Sequence, residues 1–226
     1  VRRNCIIDDD QYDSYYASRV AAKCEPFLRE AGIDIVKCIS CGVEGCVYKI
    51  TEPGLIAKVT YSTEEATLSA WLMQQDDLPK AFPKIEGVWE LPGKCKTGKR
   101  KTAGYLILRE DLADLKVTNY RNMQTALHTF VGALSRLIRD EDLEIFERDT
   151  LGAMRTLTFQ TPLGRDLKHY EQLLEITPFA VKHRIVPFDL HVQNLGLRKP
   201  DQLVIRDLGL SSYSQEIGKV ALPEIS

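Results

Sequence analysis

The chain has 226 residues, 44% of them hydrophobic and 27% charged, with a formal net charge of −2. That composition is ordinary for a soluble globular protein, and the near-balanced charge gives no global reason to expect a nucleic-acid or membrane partner. No apolar run reaches the roughly 18 residues a membrane span needs, and the length suits one generous core or two small lobes. No secretory signal is visible at the N-terminus, where the sequence opens on Val1 rather than methionine.

In chain order, the charged stretch around Asp8-Asp9-Asp10 precedes a predicted helix over Asp13–Ala31. Tyr16, Val20, Cys24, Phe27 and Leu28 lie on one side of it, and Gly32 is its stop signal. Strands are predicted at 35–41, 45–51 and 55–60. Ile39–Ile50 (ISCGVEGCVYKI) forms a hairpin tip carrying Gly42 and Gly45, followed by Val47. Glycines there let the backbone close over phosphates, where a Cβ would obstruct the approach. The next strand, Leu55–Val59, carries the single lysine Lys58 flush among β-formers, which predicts an inward cation with a partner. Thr63–Gln75 reads as a helix capped by Thr63 and acidic in its first turn, and its Glu65 is the partner on offer.

The six cysteines include Cys38-x-x-Cys41, which lacks the second pair that a four-ligand zinc site requires. Cys38, Cys41 and Cys46 read as small apolar residues in and beside the glycine hairpin, and a reducing, cytoplasmic compartment fits them. Lys84–Leu91 and Ala103–Leu108 form another strand pair, joined by the basic loop Pro92–Lys101, which reads as a solvated turn. From Ala113 to His183 the pattern is mostly helical. Tyr120–Asp140 is the clearest helix, Arg148–Gly164 is less regular, and Asp166–Ile176 is helical again. His128, His169 and His183 have no metal spacing and read as surface or packing residues.

Val186–Gly209 is the most informative stretch. Asp189 and Asn194 precede the apolar strand Leu203-Val204-Ile205, and Asp207 follows it. Phosphoryl transfer from ATP needs a carboxylate to orient the attacking hydroxyl. It also needs an amide oxygen and a second carboxylate to hold Mg²⁺ against the phosphates. Those three groups stand here in that order.

From about Ile39 to Leu210 the chain resembles the protein-kinase-like superfamily: glycine loop, strand lysine, helix glutamate, Asp–Asn loop, metal aspartate. Phe188-Asp189-Leu190-His191 followed by Asn194, the compact size and the late Asp207 look most like early Ser/Thr protein kinases of tailed bacteriophages. Glu65–Leu72 and the Asp-Leu-His wording also look like antibiotic phosphotransferases. The resemblance implies an α+β, two-lobed fold. Residues 1–112 would hold the N-terminal helix and an ATP-binding lobe with a small antiparallel sheet and the αC helix. Residues 113–226 would form a reduced helical lobe with the catalytic and metal loops.

The resemblance also implies site roles. Asp189 would orient the acceptor, with Lys58 and Glu65 as the phosphate-binding ion pair. Gly42, Gly45, Val47, Ile56, Glu110 and Leu112 would line the nucleotide, and Asn194 and Asp207 would hold Mg²⁺. His191 would help order the loop. The implied activity is transfer of the γ-phosphate of ATP to Ser or Thr of host proteins, in the host cytoplasm, with Ser211, Ser212 and Ser214 as candidates for self-phosphorylation. Ser40 departs from the pattern at the first glycine position, and Leu208 replaces the usual Phe. Pro187-Phe188 replaces His-Arg, which removes the cation that reads a phosphorylated activation loop, so activity without prior phosphorylation is expected. A small-molecule phosphotransferase and a partner-binding pseudokinase are the alternatives. The short stretch after Asp207 leaves little to enclose a small ligand, which favours a protein acceptor. The joint presence of Lys58, Glu65, Asp189, Asn194 and Asp207 argues against a pseudokinase.

Overall fold

Alternating apolar residues build the first part of the molecule. A computed structural model of the chain describes residues 24–41, 45–92, 104–160, 164–207, 210–212 and 220–225. Five strands form one antiparallel sheet: β1 (Ile35–Cys41), β2 (Gly45–Ile50), β3 (Leu55–Thr60), β4 (Ile85–Glu90) and β5 (Tyr105–Glu110), in the order β1-β2-β3-β5-β4. On one face Cys46, Tyr48, Ile50, Ala57, Val59 and Leu106 follow the period of two and pack with Cys24 and Leu28. Those last two residues come from helical residues 24–30 (α1). The helix ends where Gly32 turns the backbone at φ 78° and the Ile33 N–H bonds back to the Leu28 carbonyl at 2.8 Å. The expected start of that helix, with Tyr16 and Val20, lies outside the described residues, as does the basic loop beyond Pro92.

The opposite face carries Val47, Lys58, Ile107 and Val88 as one cross-strand row. Helix α2 (Thr63–Met73) packs on Val88 and Ile107 through Ala66 and Ala70. Its N-cap is Ser62 rather than the expected Thr63: Ser62 Oγ accepts from the Glu65 N–H at 3.2 Å. Thr63 instead shares a hydrogen bond with the Tyr105 hydroxyl at 3.0 Å, tying α2 to β5. Strand β5 also runs on through Glu110, past the expected end at Leu108.

The chain divides into two compact units. Val1–Gln74, Lys84–Asp111 and Ile217–Ser226 make the first, and Gln75–Pro83 with Leu112–Glu216 make the second. The second unit holds helices α3 (Tyr120–Asp140), α4 (Leu143–Gln160), α5 (Arg165–Leu174) and α6 (Thr177–His183). It also holds strands β6 (Ala113–Asp114), β7 (Ile185–Pro187), β8 (Leu195–Arg198), β9 (Gln202–Ile205) and β10 (Leu210–Ser212), which pair as β6-β8-β9 and β10-β7. Helix α3 buries Met123, Leu127, Phe130 and Leu134. The Phe130 ring meets Phe146 of α4 and Tyr170 of α5 edge-on, each at 6.4 Å between centroids. The start of α3 is fixed twice: Asn119 Oδ1 accepts from the Asn122 N–H, and the fully buried Asp166 accepts from the N–H groups of Thr118 and Asn119.

Helix α4 corrects the expectation of an irregular stretch at Arg148–Gly164. It starts earlier, where Asp142 Oδ1 accepts from the Ile145 N–H at 2.9 Å, and runs unbroken to Gln160. Thr150, Thr156 and Thr158 bond back to the carbonyls of Phe146, Gly152 and Met154. Thr and Gly weaken the local helical signal, and contact with α3 through Phe146 and the Arg136–Asp149 ion pair at 2.7 Å overrides it. No helix among the described residues is long and apolar enough to cross a membrane.

Candidate active site

In the first unit the structure brings Lys58 and Glu65 together. Lys58 Nζ lies 2.5 Å from Glu65 Oε1, with side-chain exposures of only 6% and 4%. Strand β3 turns Lys58 toward α2, and the Ser62 cap fixes the first turn from which Glu65 reaches it. A buried lysine without a counter-charge would be strongly destabilised, so the pair is a mutual requirement. Val47 is the cross-strand partner of Lys58, and Ile56 is buried earlier on β3. Glu110, at the end of β5, is tied to Lys84: its N–H donates to the Lys84 carbonyl at 3.0 Å, and its carboxylate accepts from the Lys84 N–H at 2.7 Å.

Gly42 lies outside the described residues. Gly45 has a structural reason to be glycine that the sequence did not reveal. A Cβ there would stand 2.2 Å from the Val59 carbonyl oxygen and 2.9 Å from Thr60 Cα, so β3 itself excludes a side chain. Gly45→Ala is therefore expected to lower the free energy of unfolding by about 1–3 kcal/mol, read as a lower urea midpoint. An unchanged midpoint would mean that β3 yields without cost.

The hairpin cysteines require a correction. Cys41 and Cys46 are cross-strand partners at the end of the β1–β2 ladder, with Cα atoms 4.1 Å apart, and they are joined in a disulfide of S–S 2.08 Å. The Cys38 sulfur lies 3.7 Å from that of Cys41. These are not merely small apolar fillers.

In the second unit a buried strand delivers an exposed acid. Ile185, Val186 and Pro187 are buried, as are Leu190 and Val192, so the chain is held on both sides while Phe188 and Asp189 turn outward. The Asp189 side chain is 64% exposed. A 3₁₀ turn at Val192–Asn194 brings Asn194 back onto it. Asn194 Nδ2 donates to the Asp189 carbonyl at 2.8 Å and to its carboxylate at 3.0 Å. With the amide nitrogen so engaged, Oδ1 faces the other way. Asn194 also accepts the Arg206 N–H on its carbonyl at 2.6 Å, and Leu195 pairs with Ile205. Asn194 and Asp207 therefore stand at the open end of the β8–β9 hairpin.

An amide oxygen and one carboxylate are hard donors that suit Mg²⁺, which normally completes its shell with phosphate oxygens and water. No cluster of three or more His, Cys, Asp or Glu at metal-binding positions occurs among the described residues. Leu112, expected near the nucleotide base, is buried in this unit. His191 lends its carbonyl to the Asn194 N–H at 2.9 Å, while its ring lies 3.8 Å from the Asp189 carboxylate. Ser211 and Ser212 pair with Val186 and Ile185 in the β10–β7 ladder, and Ser214 lies outside the described residues.

Three supporting residues were missed in the sequence. Gln124 of α3 accepts the Val192 N–H at 3.0 Å and so pins the Asp189 loop. Arg206 reaches the carbonyls of Leu112 and Ala113 at 3.1 and 3.0 Å and the Asp114 carboxylate at 3.0 Å, steadying the strand end that carries Asp207. Asp201, at the closed end of the hairpin, accepts from Lys168 Nζ at 2.8 Å and from His169 Nε2 at 3.0 Å. Gln172 adds bonds to the Asp201 carbonyl and from the Leu203 N–H. His169 is fully buried and its Nδ1 has no hydrogen-bond partner, which assigns the proton to Nε2. The only sequence signal for Arg206 was a charge placed between a buried strand and a candidate metal ligand.

Hydrogen bonds from Lys168 and then His169 pull the Asp201 carboxyl down to about 2 from its ordinary 3.8. A carboxyl whose folded value is depressed stabilises the fold fully above its unfolded value, and that contribution fades as pH falls toward the folded one. The anchor should thus hold above about pH 4 and be lost on the way to about pH 2. Urea midpoints of the wild type should accordingly fall more between about pH 5 and about pH 2.5 than those of Asp201→Asn. Parallel falls would mean that the solvent-exposed Asp201 carboxylate contributes nothing. No protein-family model matches the chain and no curated protein matches it, so function has to be argued from the site.

Proposed function

We propose that the chain is an ATP- and Mg²⁺-dependent Ser/Thr protein kinase, its two units being the lobes of a kinase-like fold similar to that of compact bacteriophage kinases. The observation that carries this reading is the Asp189–Asn194 lock at the open end of the hairpin leading to Asp207. A surface hairpin has no use for an outward carboxylate held by a neighbouring side-chain amide. Phosphoryl transfer has a use for each of these groups.

Lys58, oriented by Glu65, takes the charge of the α- and β-phosphates. Asn194 and Asp207 would hold Mg²⁺, which when bound would neutralise charge on the phosphates. Asp189 accepts a hydrogen bond from the acceptor hydroxyl and aims its oxygen at the γ-phosphorus. The new P–O bond forms as the bond to the bridging oxygen of ADP breaks, and the hydroxyl proton passes to the Asp189 carboxylate. The exposure of Asp189 suits an acceptor presented on another protein.

The test is incubation of the purified chain with γ-labelled ATP, Mg²⁺ and a bacterial lysate, resolved on a gel. Labelled protein bands that vanish with Asp189→Ala are expected. Transfer only to an added aminoglycoside would move the activity to small molecules. No transfer to either would overturn the proposal.

A further inference from the structure

The edge of a sheet exposes unpaired backbone groups, and proteins commonly cover it. Strand β4 is such an edge, and at its last residue the edge is taken. The Glu90 N–H donates to the Pro223 carbonyl at 2.9 Å, the Ile225 N–H donates to the Glu90 carbonyl at 3.1 Å, and Glu224 forms a parallel bridge with Glu90. The side chains of this segment are placed as well. Val220 and Leu222 pack against the cluster of Ala66, Ala70, Val88, Tyr105 and Ile107, while Ile225 packs against the core under α1.

The composition of that cluster explains why the segment matters. Helix α2 brings the small side chains of Ala66 and Ala70 to this cluster, alongside Ile85 of β4, while it also buries Leu68, Trp71 and Leu72. Two branched side chains from the C-terminal segment sit at the same junction. Ala66 directly follows Glu65, so whatever fixes Ala66 against the sheet also fixes the carboxylate that meets Lys58.

Resting on the reading of Lys58–Glu65 as the phosphate-binding pair, we propose that Val220 and Leu222 are positioning residues. They brace α2 against β4 and β5 and so keep Glu65 on Lys58. Without them α2 swings away, Lys58 loses its orienting partner, and bound nucleotide is no longer aligned. Such a change lowers kcat more than it raises KM for ATP.

The experiment uses the full chain with Leu222→Asp, a milder Val220→Ala/Leu222→Ala double variant, and Leu222→Ile as the conservative rescue. Amide hydrogen exchange is the readout that needs no activity. The first two variants should exchange faster across Thr63–Met73 while β2 and β3 keep their protection, and Leu222→Ile should match the wild type. In transfer assays kcat should fall roughly tenfold with KM for ATP little changed. Unaltered exchange in α2 would overturn the brace whatever the activity. Faster exchange in α2 with unaltered kcat, in a wild type that transfers phosphate, would overturn the positioning role. A wild type that transfers no phosphate would remove the kinase reading, and the exchange data would still decide the brace. If Leu222→Asp loses protection throughout, the double variant decides, and a uniform loss with no excess in α2 counts against the proposal.

Discussion

Asp189→Ala should lower phosphate transfer by roughly 10²- to 10⁴-fold, the usual share of a positioned acid or base. The fold should be nearly untouched, because the Asp189 side chain is 64% exposed. An exposed substitution of this kind changes stability by about 0.5 kcal/mol or less. The variant also leaves most of the Asn194 anchor in place. The bond from Nδ2 to the carboxylate disappears, whereas the 2.8 Å bond to the backbone carbonyl of residue 189 is kept. The amide oxygen assigned to Mg²⁺ should therefore hold its direction, and the Mg²⁺ dependence of residual transfer should resemble that of the wild type. Single-turnover transfer at saturating ATP, with urea midpoints measured alongside, separates these effects. Near-normal labelling of lysate proteins by Asp189→Ala would remove Asp189 from the reaction. A large fall in the urea midpoint would mean that the variant reports on folding instead.

Local pattern and chemical necessity made parts of this molecule legible in the sequence. Leu55–Thr60 reads as a strand because both of its faces are buried, and a lone lysine within it implies a counter-charge nearby, which Glu65 supplies. The strand over Leu203–Ile205 was readable from its apolar run, whereas its partner β8 was not anticipated. Features set by distant contacts were not readable. The Cys41–Cys46 link depends on which residues face each other across the β1–β2 ladder, and spacing alone does not fix that register. The need for glycine at position 45 comes from the carbonyl of Val59, brought close by the β2–β3 pairing. Gln124 and Arg206 act by bonding backbone groups far away in sequence, and such contacts leave no pattern around the side chain. The C-terminal segment on β4 is too short to show periodicity, and its place follows from the open edge it covers.

Lys58→Met should produce two losses, and their separation tests whether the buried pair belongs to a site or only to a core. Both partners are almost wholly enclosed, at 6% and 4% side-chain exposure, and their charged atoms are 2.5 Å apart. Removing the cation leaves the Glu65 carboxylate in apolar surroundings. Breaking a buried pair from one side costs about 3–5 kcal/mol, a large share of the about 5–15 kcal/mol that holds a domain together. Adding Glu65→Leu to Lys58→Met removes the stranded charge and should recover most of that loss, since a well-packed apolar pair often matches a buried ion pair. Phosphate transfer should behave differently. It should fall by orders of magnitude in Lys58→Met and stay low in the double variant, because restored packing supplies no cation for the α- and β-phosphates. A core pair with no catalytic part predicts recovery of both quantities together. Urea unfolding and single-turnover transfer on the wild type, the two single variants and the double variant give the full cycle. Transfer that returns with stability would reduce Lys58 to a structural residue, whereas stability that returns without transfer points to a pair the reaction itself uses.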